Sequence, residues 1–148
     1  MQGEEIGMTN VAFDSIEDYR DVATHNYYND RLANGDDANQ VMQRISECSR
    51  DNSRTPMQWD TTPNAGFTEG KPWLGINPNY KKINAADQVH DPDSIYSYYK
   101  ELIGLRKQYP ILALGDFMEH DESNPGAFVY QRNYQGTVSY THLTLPTN

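Results

Sequence analysis

The spacing of apolar positions changes along this chain and divides it into segments. Between Ser15 and about Asp30, Ile16, Tyr19, Ala23 and Tyr27 recur at intervals of three and four, the period of one helix face. Ser15 is a good N-cap, and Glu17 and Asp18 fall in the first turn, where acids complement the helix dipole. The cluster Ala33-Asn34-Gly35-Asp36-Asp37 reads as a turn that ends this helix. A second helix is predicted from Ala38 to about Cys48, with Asp37 as N-cap, Gln40 as its capping-box partner, and Val41, Ile45 and Cys48 as the inner stripe beside Met42. Asp91-Pro92-Asp93 opens a third helix, Pro92 taking the first helical position, and Pro110 stops it after Tyr109. Its apolar face of Ile95, Tyr98, Tyr99, Leu102, Ile103, Leu105 and Tyr109 requires a partner surface. Beyond Pro110 the period falls to two, so Phe117 to Glu119 and Ala127 to Arg132 read as strands joined by a turn over Asp121 to Gly126. At the other end, Ile6 and Met8 alternate with Gly7 and Thr9, a segment too short to assign by itself.

The stretch Ser49 to Trp73, SRDNSRTPMQWDTTPNAGFTEGKPW, follows neither period. Irregular segments beyond about 12 to 15 residues are uncommon in compact domains unless they are functional or disordered. Trp59, Phe67 and Trp73 argue against disorder, which disfavours aromatics. Arg50 and Arg54 supply planar forks of donors, Asp51 and Asp60 supply acceptors, and the aromatic residues supply flat apolar faces. This set suits a polyol. Two roles are open to Arg50, a grip on a sugar hydroxyl or an ion pair with Asp51 or another loop acid. Arg54, followed at once by Thr55-Pro56, is expected to tie the loop to itself, and Asp51, Asn52, Gln58 and Asp60 are expected to fix it by hydrogen bonds.

Composition narrows the classes. The 148 residues fit one domain by length, and a formal charge of -9 with acids spread along the chain disfavours nucleic acid and anionic lipid as partners. One cysteine, Cys48, excludes an internal disulfide and reads as a small buried apolar residue. No apolar run approaches the roughly 18 residues of a membrane span. His25, His90, His120 and His142 are scattered, with no HxxxH or CxxC companion and no DxDxDG loop, so no metal site is expected. A nucleophilic serine lacks its G-x-S-x-G elbow.

The run RDNSRTPMQWD, followed by NAGFT and PW, closely resembles a segment of glycoside hydrolase family 13, in the branch of oligo-1,6-glucosidases, related alpha-glucosidases and trehalose-6-phosphate hydrolases. QGEEIGMTN, FDSIEDYRDV, NYKKIN and LIGLRKQYP resemble the same branch in the same order. The resemblance implies an α/β fold, the C-terminal part of a (β/α)8 TIM barrel comprising its last strand, long loop and last helix, running into a small all-β domain. It implies a division into residues 1–110 of the barrel and 111–137 of a β-sandwich, with 138–148, VSYTHLTLPTN, departing from the family and reading as a non-native tail. It further implies a fragment of a retaining alpha-glucosidase acting on terminal 1,6 or 1,4 bonds of short oligosaccharides. The alternatives are a trehalose-6-phosphate hydrolase or a non-catalytic sugar-binding relative. Its three catalytic carboxylates are expected upstream of Met1, and Glu4 and Glu5 are expected to be structural. Arg50 is implied to reach the substrate glucose, with no cofactor and no metal, in a cytoplasmic, monomeric parent. Ala23 stands where relatives often carry a Glu that favours 1,6 linkages, a departure that bears on strict 1,6 specificity.

Overall fold

The computed structural model describes residues 2–144, which divide into two compact units with the boundary between Tyr98 and Tyr99. In the first, helices α1 (Val22–Ala33) and α2 (Ala38–Cys48) pack around Tyr19, Val41 and Ile45, with Phe13, Ile16, Tyr28 and Met42 against them. Phe13 meets the Tyr19 ring edge-on at 5.0 Å. Helix α2 follows its sequence signals: the Asp37 carboxylate accepts the Asn39 and Gln40 amides, and Val41 and Ile45 are buried.

Helix α1 differs from expectation. The segment from Ser15 makes only one 3-10 turn, Ile16–Asp18, capped by the Ser15 hydroxyl; Tyr19 is then extended, and the α-helix starts afresh with Asp21 as N-cap. The cause lies far away in sequence. The fully buried Asp51 carboxylate accepts the Arg20 amide at 2.6 Å and the Asp21 amide at 2.9 Å, so those donors serve a distant acid instead of a helix ladder. The restart rotates the helix, burying Thr24 and half-burying Tyr28, while Ala23 and Tyr27, expected inward, are exposed.

The strand that the resemblance implies over Gln2–Asn10 is also corrected. Glu4–Ile6 is a 3-10 turn bracketed by Gly3 (φ 83°) and Gly7 (φ 69°), and the Met8 amide returns to the Gly3 carbonyl at 2.9 Å. Two left-handed glycines close the turn where a strand would need extended backbone. Glu4 is exposed and Glu5 half-buried in this turn.

The long loop is irregular, as its sequence requires, but well tied. Asn52 accepts the Val11 amide and donates to the Ser46 carbonyl; Gln58 donates to Asn79 and to the Ile83 carbonyl; Asp60 accepts the Thr62 amide at 2.8 Å. A tight turn follows at Pro63–Gly66, where Asn64, Ala65 and Gly66 all have positive φ and the buried Ala65 carbonyl accepts the Trp59 and Asp60 amides. Beyond it come a short helix α3 (Ala85–Val89) and α4 (Ile95–Gln108). Helix α4 starts later than Asp91-Pro92 predicts, because the Ser94 hydroxyl takes the Ser97 amide as its cap and itself bonds the Gln88 and Asp91 carbonyls. Ile95, Tyr98, Leu102 and Ile103 on α4 are all exposed.

In the second unit, a short helix α5 (Ile111–Leu114) precedes an antiparallel sheet of β1 (Asp116–His120), β2 (Ala127–Tyr134) and β3 (Thr137–Thr144), in that order. Phe117 lies opposite Arg132 and Glu119 opposite Tyr130. Phe117, Phe128 and Tyr130 cluster on one face with the Arg132 guanidinium 5.6 Å from the Phe117 ring centre. The β2–β3 turn uses Gln135 and Gly136, both at positive φ, the geometry that matches the twist of a two-residue hairpin. Residues 138–144 of the expected tail thus lie in strand β3, in register with β2, and 145–148 lie outside the described residues.

Candidate functional site

The site grows from the contact between the loop and the start of α1. Ser49 ends α2; its hydroxyl accepts the Asp51 amide at 3.2 Å and pairs with the Thr24 hydroxyl at 3.0 Å. The 3-10 turn Arg50–Ser53 then turns the Arg50 side chain towards the helix that Asp51 has started. Arg50 Nε and Nη2 donate to Asp21 Oδ1 at 3.1 and 2.7 Å, and Arg54 Nη1 approaches the same oxygen at 3.4 Å. Asp21 Oδ2 accepts the Thr24 amide at 3.2 Å and its hydroxyl at 3.3 Å. Arg54 also lies 3.7 Å from Asp51 Oδ1, so besides the tie within the loop that its sequence context implies it joins the loop to the start of α1.

The two partners of the central ion pair differ in exposure. The Asp21 side chain is 4% exposed and that of Arg50 is 67% exposed. The Arg50 hydrogen bond holds the Asp21 carboxyl below the ordinary aspartate range against the opposing effect of burial, and Asp21 in turn raises the Arg50 guanidinium. A guanidinium carries five N–H donors, of which Asp21 engages those on Nε and Nη2. With the Arg50 side chain 67% exposed, donors beyond those two are accessible to a hydroxyl oxygen.

Beside the pair lies an open hollow of about 410 Å³, lined by Asp21, Ala23, Thr24, Tyr27, Arg44, Cys48 and Arg50, among others. Cys48 is exposed at its rim, contrary to the buried role expected: Val41 and Ile45 use up the inner stripe of α2, and the helix ends before its last residue reaches the core. The pairing of Arg50 with Asp21, not with Asp51, was not legible in sequence; the one local signal was that aspartate is a favoured N-cap. Trp59, Phe67 and Trp73 all retain exposed faces, Trp73 being further fixed by Arg20 Nε, which donates to its carbonyl at 3.2 Å. Among the described residues no three His, Cys, Asp or Glu side chains gather as metal ligands, and no helix is long and apolar enough to cross a membrane.

Residues 1–115 match the alpha-amylase catalytic-domain family, and the chain belongs to that family. It is α/β, with the fold of the C-terminal part of the family's (β/α)8 barrel followed by a small antiparallel sheet. It is 53% identical, over 99% of its length and 26% of the relative's, to an oligo-1,6-glucosidase of Parageobacillus thermoglucosidasius. It is 44% identical to a trehalose-6-phosphate hydrolase of Escherichia coli, over 91% of this chain and 24% of that one. Among solved structures, the trehalulose synthase MutB of Pseudomonas mesoacidophila superposes with a TM-score of 0.91 at 41% identity, covering 97% of this chain and 26% of that one. The chain therefore spans about a quarter of the length of the curated relatives it matches.

Proposed function

We propose that this chain is part of a retaining alpha-glucosidase that hydrolyses terminal alpha-1,6 or alpha-1,4 glucosidic bonds of short oligosaccharides, and that Arg50 binds the substrate sugar. Residues 1–110 would belong to its catalytic barrel and 111–137 to the start of a following β-domain. The observation that carries the reading is the 53% identity with an oligo-1,6-glucosidase over 99% of this chain. Arg50 adds geometry, since its charged fork is anchored on one side and open on the other. In the retaining reaction one carboxylate attacks the anomeric carbon while a second, about 5 to 5.5 Å away, protonates the leaving oxygen. Those acids would come from the part of the parent outside this chain. The contribution of Arg50 is to fix sugar hydroxyls so that the bond to be broken stays between them. Ala23, in place of the Glu that favours 1,6 linkages in similar enzymes, supports tolerance of both linkages.

The test is kinetic. In the full-length protein carrying this chain, hydrolysis of isomaltose and maltose should exceed that of trehalose 6-phosphate, and Arg50→Ala should lower kcat/KM about a hundredfold or more, as expected for losing a charged donor to a bound substrate. Preferential hydrolysis of trehalose 6-phosphate would assign the alternative substrate. A parent without three suitably placed acids would be a sugar-binding relative that catalyses nothing, and an unchanged kcat/KM in Arg50→Ala would remove Arg50 from the site.

A further inference from the structure

We propose that Asp21 is the positioning residue of this site: a buried acid at the start of α1 that fixes the direction in which the Arg50 guanidinium faces the sugar. The inference rests on the reading of Arg50 as a substrate-binding residue and extends it to an acid on another element, the N-cap of α1. The Arg50 side chain is long, mobile in principle and 67% exposed, so an aim of its own would cost it rotamer entropy on each binding event. Asp21 Oδ1 removes that freedom by accepting from Nε and Nη2 together, at 3.1 and 2.7 Å, which fixes the plane of the fork as well as its position. Asp21 is itself held at both ends. Its other oxygen is bound by Thr24, and its backbone amide is bound by the buried Asp51 carboxylate, one residue along the chain from Arg50. The loop that carries the arginine therefore also builds the seat on which the arginine rests. Both ends of the contact share this anchor, so their spacing does not depend on loop motion elsewhere.

The experiment separates the helix-capping task of Asp21 from its task towards Arg50. Serine and asparagine cap helices about as well as aspartate, so Asp21→Ser and Asp21→Asn in the full-length protein retain an acceptor for the Thr24 amide but lose the anion under Arg50. Each is measured alone and combined with Arg50→Ala, by kcat and KM on isomaltose and by thermal unfolding. The expected result is a tenfold or larger rise in KM for both Asp21 variants, a smaller change in kcat, thermal unfolding that still begins above the assay temperature, and no additional KM effect once Arg50 is alanine. If Arg50→Ala is strongly impaired while both Asp21 variants keep the parental KM, Asp21 has no positioning role and the sugar-binding reading of Arg50 survives. KM effects that add fully to that of Arg50→Ala also overturn the proposal, because they place the Asp21 effect outside the pair. If Arg50→Ala is itself unimpaired, the underlying reading fails and this inference with it.

Discussion

The Asp51 side chain sets the start of α1 from about thirty residues away. It is fully buried and accepts two backbone amides, Arg20 and Asp21, on one oxygen while Arg54 lies 3.7 Å from the other. Asp51→Ala should leave both amides buried without acceptors and destabilise the full-length protein by about 2 to 4 kcal/mol. Asp51→Asn retains one acceptor oxygen and should cost clearly less. Denaturant titration of the two variants tests the ordering, and equal effects would deny the carboxylate its role. Asp21 makes a different prediction, in pH. Its folded value is held below the ordinary 3.8, first by the Arg50 hydrogen bond. A depressed acid contributes stability that is fully present above the unfolded value and is lost as pH falls through the folded one. Arg50→Ala removes that support and leaves the burial, which raises the value, so acid unfolding should begin at higher pH in the variant than in the parent. Melting curves of the two proteins across the range from about pH 3 to 7 would measure the displacement. Coincident acid limbs would contradict it.

At the scale of elements, local and distant signals compete, and the outcome depends on which supplies the better partner. Helix α2 has a strong local cap and no distant competitor for its first amides, so Asp37 and the stripe Val41, Ile45 set it as expected. The first helix had a good local cap too, Ser15, but the chain ran past it to the Asp51 carboxylate and restarted at Asp21. Charged acceptors bind amides more strongly than a neutral carbonyl does, which is enough to break a helix that buries only part of one face. In the long loop the decisive feature is the turn at Pro63–Gly66. Gly66 has φ 67°, and an added Cβ would lie 2.6 Å from Asp60 Oδ2. Gly66→Ala should therefore destabilise the turn by about 1 to 3 kcal/mol through left-handed backbone strain and crowding. The variant should show an earlier thermal transition and faster proteolysis between Trp59 and Trp73. A melting temperature equal to that of the parent would show that the turn relaxes freely.

At the scale of the whole molecule, many large apolar side chains remain uncovered. Ile95, Tyr98, Leu102, Ile103, Tyr109, Phe117, Met118 and Leu143 all remain exposed. Burying a large apolar side chain contributes about 1.5 to 3 kcal/mol, and none of these makes that contribution here. The purified 148-residue chain should accordingly bind an apolar dye strongly and melt without a single cooperative transition. A sharp, reversible calorimetric peak would refute this. The same exposed faces agree with a chain that spans about a quarter of its relatives' length.

What the sequence determined by itself was whatever depends on near neighbours: the α2 cap and stripe, the stop at Pro110, the hairpin strands with their turn residues, and the irregularity and tethering of the Ser49–Trp73 loop. It also carried the family, because eleven consecutive residues of that loop are distinctive in order as well as in kind. Tertiary structure alone decided the break before Asp21, the turn in place of a strand at Glu4–Ile6, the exposure of Tyr27 and Cys48, and the seating of Arg50 on Asp21. The physical reason is separation: Asp51 meets the amides of Arg20 and Asp21 across some thirty residues, and no periodicity read along the chain records which distant carboxylate a backbone donor will find.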